Sequence, residues 1–220
     1  MHETRIEVSG EELLLEVSGA LWWPAENTLV FADLHFEKGS SYARGGQMLP
    51  PYDTRSTLAR METLVRRRHP ARVIALGDSF HDTGAAERLD EQERARLAQL
   101  RNGAEWIWIA GNHDPAPPAW LGGHVTEEAA IGGLIFRHEP QSEDGRGEIA
   151  GHLHPCATVT RRGRALRRRC FVSDGVRLLM PAFGAYAGGL DVGDAAVRML
   201  FRERFLTYLL GRARVYAVAG

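Results

Sequence analysis

Three short apolar runs, "NTLVFADLH", "RVIALGD" and "WIWIAGNHD", share one kind of ending. Each breaks off into Asp, Asn or His, the last two runs through a glycine. An unbroken apolar run is the mark of a strand buried on both faces. Between the runs lie two stretches with helical spacing. In "TRSTLARMETLVRRRHP" the apolar residues Leu58, Met61, Leu64 and Val65 recur on one face, Asp53 is the expected N-cap, and Pro70 stops the helix. In "ERLDEQERARLAQLRNG" Leu89, Leu97 and Leu100 stand among charges, and Asn102-Gly103 ends the segment. The order strand, helix, strand, helix, strand predicts a parallel, doubly wound α/β sheet. Such sheets bind ligands at the carboxyl ends of their strands, where all three runs carry metal-binding residue types.

The flanking sequence is patterned differently. "TRIEV", "ELLLEV" and "ALWWP" read as short antiparallel strands before the first buried run. After Gly111, "GGLIFRH", "GEIAGHLH", "ATVTRR", "RRCFVSD" and "VRLLMPAFG" predict mostly antiparallel structure with tight turns. The last segment, from Asp194 onward, predicts a short helix and closing strands. Nothing resembles an interdomain linker, so residues 1–220 are read as a single domain.

The formal net charge of −1 excludes a bulk field that would draw the molecule to nucleic acid or membrane, but not a local patch. Arginine dominates the basic residues, with Lys38 the only lysine. No stretch is long and apolar enough to span a bilayer, and the N-terminal segment carries acids where a signal peptide has bases, so a cytoplasmic location is expected. Cys156 and Cys170 are too few for a disulfide framework and read as small buried hydrophobes. Trp22, Trp23, Trp106 and Trp108 are expected in or over the core.

Five clusters carry the chemistry: "ADLH" (Asp33, His35), "GDSFH" (Asp78, His81), "GNHD" (Asn112, His113, Asp114), "RHEP" (His138) and "GHLHP" (His152, His154). Any one alone reads equally as a turn or a structural histidine. Their coincidence argues otherwise, because six of the nine histidines fall in them. His2, His69 and His124 are left as surface or turn residues. Two carboxylates, an amide and several imidazoles are too many ligands for one tetrahedral zinc. They suit two ions, about 3.5–4 Å apart and bridged by a carboxylate, that clamp a phosphoryl group and activate a water. Two divalent cations are therefore expected; manganese, iron and zinc all suit these donor types, which do not choose among them. If the "GHLHP" segment is extended, His152 and His154 point the same way and reach one site.

The order D-x-H, G-D-x-x-H, G-N-H-D, H, G-H-x-H resembles the calcineurin-like metallophosphoesterases. With "LWWPAENTLVFADLHFEKG" and "LLMPAFGAYAGG", nearly the whole chain is similar to their bacterial branch of ligase-associated DNA damage response endonucleases. The resemblance implies a calcineurin-like sandwich of two mixed β-sheets flanked by helices. It implies that Asp33, His35 and His154 hold the first metal, that Asp78 bridges both, and that Asn112, His138 and His152 complete the second. A water bridging the ions would attack phosphorus in line, and His113 would stabilise the phosphoryl group and protonate the leaving oxygen. It also implies a DNA substrate in repair, and association with a DNA ligase and a helicase.

One position departs from the family pattern. Where many members have an Asp that orients the catalytic histidine, this chain has His81, followed by Asp82. Three readings stay open: His81 as a further phosphate contact, Asp82 as the orienting group, or Asp114 in that role. Six arginines between Arg161 and Arg169 read either as a surface for phosphate backbone or as a solvated hairpin turning at Gly163. The basic residues Arg66 to Arg68 end a helix, where cations suit the dipole. "PAFGAYAGGL" reads as a loop bordering the site or a tight corner, and matches no nucleotide fingerprint. Besides a nuclease, the residues allow a hydrolase of a small phosphoester such as a cyclic nucleotide, or a non-catalytic scaffold of the same fold.

Overall fold

A computed structural model describes residues 3–47, 49–50, 52–141, 145–161, 163–201 and 204–219. Among these, the strands form two stacked sheets. The first contains β1 (Thr4–Val8), β2 (Glu11–Leu15), β3 (Leu21–Trp23), β4 (Thr28–Ala32), β5 (Arg72–Leu76), β6 (Glu105–Ile109) and β7 (His124–Thr126), side by side in chain order. β1 to β4 are antiparallel; β4 to β7 are parallel, with Leu29 opposite Val73 and Val73 opposite Trp106. The three apolar runs are thus the three adjacent strands β4, β5 and β6.

The second sheet holds β8 (Glu128–Ile131), β9 (Leu134–Arg137), β10 (Glu148–Ala150), β11 (Cys156–Arg161), β12 (Arg164–Ser173), β13 (Leu178–Leu179), β14 (Leu206–Leu210) and β15 (Val215–Ala219). Its ladders are antiparallel except at β10, which runs parallel to both β9 and β13. The sheet is therefore mixed. The parallel step is what turns the ends of β9 and β10 toward the same edge, bringing His138 beside His152.

Helices α1 (Lys38–Arg44), α2 (Asp53–Arg68), α3 (Ala85–Arg88) and α4 (Glu91–Leu100) connect strands of the first sheet, and α5 (Ala195–Arg198) belongs to the second half. α2 buries Leu58, Met61 and Leu64 and ends at His69, whose left-handed backbone (φ 47°) returns an N–H to the Val65 carbonyl. Two expectations are corrected here. Tyr52, not Asp53, occupies the cap position of α2, and the Asp53 carboxylate instead accepts the Gly39 N–H at 2.9 Å. The second helical stretch is broken at Leu89, because Asp90 and Glu93 form a reciprocal capping box that starts α4 afresh.

Strand alternation sorts the core into layers. In β5, Ile74 and Leu76 face the second sheet, meeting Phe136, Ile149, Phe171 and Met180, while Val73 and Ala75 face α2 and α4. Trp23 enters the inter-sheet layer; Trp22, Trp106 and Trp108 enter the helix-side layer. A third cluster, with Cys170, Val172, Phe201 and Phe205, covers the outer face of the second sheet. Cys156 and Cys170 are buried and free. No helix among the described residues is long and apolar enough to cross a membrane. His69 and His124 are exposed, and His2 lies outside the described residues.

Candidate metal centre

Every cluster read from the sequence lies just past a strand end, and all converge where the carboxyl ends of β4, β5 and β6 meet those of β9 and β10. The chain bends sharply there. Asp33, His35, Asp78, His152 and His154 all have left-handed backbones, with φ from 45° to 66°. Such conformations are uncommon outside glycine and are held only where the surroundings over-determine them. Around His35 and Asp78 they are held by main-chain bonds: His35 N–H donates to the Asp78 carbonyl at 2.8 Å, and Phe36 N–H to that of Ser79 at 2.9 Å.

The "GHLHP" expectation is corrected in its geometry. Residues 151–155 do not form a strand. His152 and His154 reach the site because each kinks into the left-handed region, with φ 66° and 47°.

Asp78 occupies the middle. Its carboxylate oxygens lie 3.8 Å from His35 Nε2 and 3.4 Å from His138 Nε2, and its Oδ1 accepts the His113 N–H at 2.9 Å. On one side, Asp33, His35 and His154 gather their ligand atoms within 4.8 Å of one another; on the other, Asp78, His138 and His152 do the same. Asn112 Oδ1 is 2.9 Å from His138 Nε2 and 3.0 Å from His152 Nδ1, which puts the amide in the second group. The two ligand sets implied by the resemblance are thus assembled as two adjoining groups. A third trio, His35, His81 and His113, also brings its nitrogens within 4.8 Å.

The donor set fits divalent cations. His154 Nδ1 donates to the Gly188 carbonyl (3.2 Å) and His138 Nδ1 to that of Leu76 (3.3 Å), which leaves each Nε2 as a lone pair facing the site. His154 Nε2 then faces His35 Nε2 at 3.2 Å, and His138 Nε2 faces His152 Nδ1 at 3.1 Å. Paired nitrogens that close need a proton or a cation between them. Gly111 keeps the space open, since a Cβ there would sit 2.2 Å from the Asp78 nitrogen and Oδ1.

Electrostatics favours neutral imidazoles, the form that ligates. Burial, with the neighbouring His154, pushes His35 down to about 2. Burial, Lys38 and His113 push His81 down to about 4, and burial with His138 lowers His152. His138 is the exception: burial opposes its charge, but the Asp78 and Asp33 carboxylates outweigh it and raise it to about 9. Burial works against ionised Asp78, yet the His138 hydrogen bond holds it near 2.

His113 is oriented by main chain. Its Nδ1 donates to the His81 carbonyl at 2.7 Å, so Nε2 is directed into the site, 4.0 Å from Asp78 Oδ2. Neither carboxylate considered for this role is brought to it. Asp82 is engaged by Arg88 at 2.6 Å, and Asp114 accepts the Phe80 N–H at 3.0 Å, tying the segment after β6 to that after β5. The His81 ring stacks on His113 with centroids 5.2 Å apart and lies against Tyr42 on its other side.

The glycine-rich loop borders the site. Phe183 and Gly184 N–H groups donate to the Ala32 and Asp33 carbonyls, and a Cβ on Gly184 would fall 2.2 Å from the Leu34 oxygen. Sequence reasoning singled out neither Lys38 nor Tyr42 for the site. Lys38 is largely buried, and its charge acts on both His35 and His81. Its singularity among so many arginines was the available signal.

With this geometry in place, the relatives become decisive. The family model of calcineurin-like phosphoesterases matches residues 27–164, which holds every residue of both ligand groups. The chain belongs to the calcineurin-like phosphoesterases. It is similar throughout to the crystal structure of Pseudomonas putida nuclease MPE, at 33% identity and TM-score 0.77, covering 99% of this chain and 100% of that one. A looser likeness, to the E. coli phosphoesterase Yfce, has 12% identity and TM-score 0.41 over 87% of this chain and 98% of the other. No curated protein matches at a significant level. As a calcineurin-like phosphoesterase, the chain is a hydrolase of phosphoesters in a family that uses divalent metals, with the expected sandwich of two mixed sheets.

Proposed function

We propose that this phosphoesterase is a two-metal phosphodiesterase that cleaves DNA in repair. The observation that carries the reading is the meeting of two ligand groups at Asp78, in a chain similar over its whole length to a nuclease. Asp33, His35 and His154 would hold one cation, Asn112, His138 and His152 the other, and Asp78 would be shared. Two bound divalent cations, manganese first among the candidates, would supply charge neutralisation for the phosphoryl oxygens and an acidified water.

The chain's own groups do the rest. The His81 carbonyl holds a proton on His113 Nδ1, so that the doubly protonated ring presents its Nε2–H to the leaving oxygen and, on giving up that proton, is left as the neutral Nδ1–H form. The His81 ring, stacked on His113, forms the wall against which a phosphoryl oxygen rests. Asp82, held by Arg88, anchors the segment that carries the His81 carbonyl. Association with a DNA ligase and a helicase, and a cytoplasmic location, belong to the same reading.

The test is a substrate panel on the purified protein with manganese, iron or zinc added. A model phosphodiester, a phosphomonoester, and labelled single- and double-stranded DNA are compared. DNA cleavage that requires metal is expected. Cleavage of the small diester alone would replace the nuclease with a hydrolase of small phosphodiesters, and a protein that neither binds metal nor cleaves any substrate would be a scaffold.

A further inference from the structure

Among the described residues, two arginines beside the glycine-rich loop have no acidic counterpart. Arg60 on α2 donates from Nη2 to the Phe183 carbonyl at 2.5 Å, and its guanidinium lies 4.5 Å from the Phe183 ring centroid. Arg169 on β12 donates from Nη1 to the Ala182 carbonyl at 2.6 Å and approaches the carbonyls of Phe183 and Gly184 at 3.4 Å. Both cations are therefore drawn to one short piece of the glycine-rich loop. Burial makes each less basic than an ordinary arginine, and the charge of Arg169 adds to the effect on Arg60, which falls to about 10. The Arg60 Nε is buried without a hydrogen-bond partner among the described residues. Bracing a loop needs only neutral donors. Two half-buried cations that repel each other are a costly choice unless an anion joins them.

The place for that anion is present. Arg60, Arg169, Ser56 and Tyr186 line a cavity of about 360 Å³. Arg169 also lines a second cavity of about 440 Å³, shared with Arg167, Arg168 and Arg212. No carboxylate lines either one among the described residues, although Arg167 pairs with Asp191 at 3.6 Å on the flank. For a chain of net charge −1, five arginines around two adjoining hollows is a local concentration of charge of the kind that tracks a phosphate backbone. The path also abuts the site: Gly184 N–H bonds to the Asp33 carbonyl at 3.1 Å, and Arg167 bonds to the Gly189 carbonyl at 2.6 Å in the stretch whose Gly188 carbonyl orients His154. The arginine run thus divides: Arg167 and Arg169 grip the loop and Arg168 is exposed, while Arg162 lies outside the described residues.

We propose that the two cavities form a track for the flanking backbone of a polynucleotide substrate, in which Arg60 and Arg169 grip a phosphate other than the scissile one and Arg168 and Arg212 continue the path. The proposal rests on the nuclease reading above. The test compares Arg60→Gln/Arg169→Gln and the surface pair Arg168→Gln/Arg212→Gln with the unaltered protein. Substrates are a labelled single-stranded oligonucleotide and bis(p-nitrophenyl) phosphate, in manganese, over a range of salt.

In both variants the ratio of kcat/KM for the oligonucleotide to that for the small diester should fall about tenfold or more, through KM. The surface pair should also lower the slope of log(kcat/KM) against log salt by about 1.4, since each of its two single-strand phosphate contacts contributes about 0.7. An equal loss on both substrates for the first pair, with no effect of the second, would show arginines that only brace the loop and would overturn the track. Normal oligonucleotide cleavage by both variants would overturn it as well, leaving the nuclease reading intact. An unaltered protein that cuts the small diester but no polynucleotide would overturn the nuclease reading, and the track with it.

Discussion

At the ends of β4, β5 and β6 the candidate metal donors are Asp33, Asp78 and Asn112, with His35 just beyond the first; at the ends of β9 and β10 they are the imidazoles His138, His152 and His154. Both carboxylates of the two candidate ligand groups come from the first sheet and neither from the second, whose Glu139 stands 4.0 Å from His152 Nδ1. Asp33 is fully buried, and it is met by His154 Nε2 at 3.3 Å, His138 Nδ1 at 3.6 Å and the His152 N–H at 3.2 Å, all from the other sheet. Asp78 likewise meets His138. Neither half has a balanced charge or a complete ligand group alone. Two buried carboxylates without counter-groups would be costly, and so would a nest of imidazoles. The centre is complete only where the two sheets pack, so disturbance on either side should be felt on both.

The largest break in this comparison is at Asp78, proposed to serve both groups. Asp78→Asn should lower phosphodiesterase activity by more than about 100-fold and reduce the metal retained, measured by elemental analysis beside turnover. Full metal content in that variant would remove Asp78 from the shared position. His113 is next. It belongs to the first sheet's cluster but to neither of the two ligand groups built around Asp33 and Asp78. His113→Ala should cut turnover by about 100-fold or more while metal content stays. If the metals leave instead, His113 is a ligand and the proton-transfer role falls.

The second sheet can be broken without touching a ligand. Glu148 on β10 pairs with Arg177 at 2.9 Å, and both side chains are 2% exposed. Glu148→Ala leaves the Arg177 guanidinium buried beside its remaining carbonyl partners, and should cost about 3–5 kcal/mol in urea unfolding. A loss below about 1 kcal/mol would mean that β10 is held in register by apolar packing instead.

The smallest effect sharpens the first sheet's side. Burial raises the Asp114 carboxyl to about 7. The folded state then keeps a proton that the unfolded chain releases near pH 4. Stability of the metal-free protein should fall as pH rises from about 4 to about 7. Asp114→Asn, which keeps an acceptor for the Phe80 N–H, should flatten that decline. An unchanged slope would place the titrating group elsewhere.

The buried runs of β4, β5 and β6 were legible because a strand covered on both faces has no polar option along its length. The clusters were legible because metal-binding residue types recur where those runs stop. Asp53 and the second helical stretch were misread for a common reason: a single acid at a helix start is chosen by what surrounds it. Asp53 is drawn to the Gly39 N–H, a partner fourteen residues away in the chain, whereas Asp90 and Glu93 cap locally and restart the helix. The orientation of His113 was equally out of reach, because the group that holds it is a backbone carbonyl, which leaves no trace in residue type.

What the amino-acid sequence determined by itself is the inventory and the order: apolar runs, helical spacing between them, and five groups of ligating residues, each tied to a strand end. Those follow from periodicity and side-chain chemistry, which are local. Tertiary structure alone decided how His152 and His154 reach one centre. They do so by two left-handed residues, not by an extended segment, and those backbones are held from outside, by the Asp33 carboxylate on the His152 N–H and by the Gly188 carbonyl on the His154 ring. A conformation that costs energy locally is selected only by contacts that arrive from distant parts of the chain.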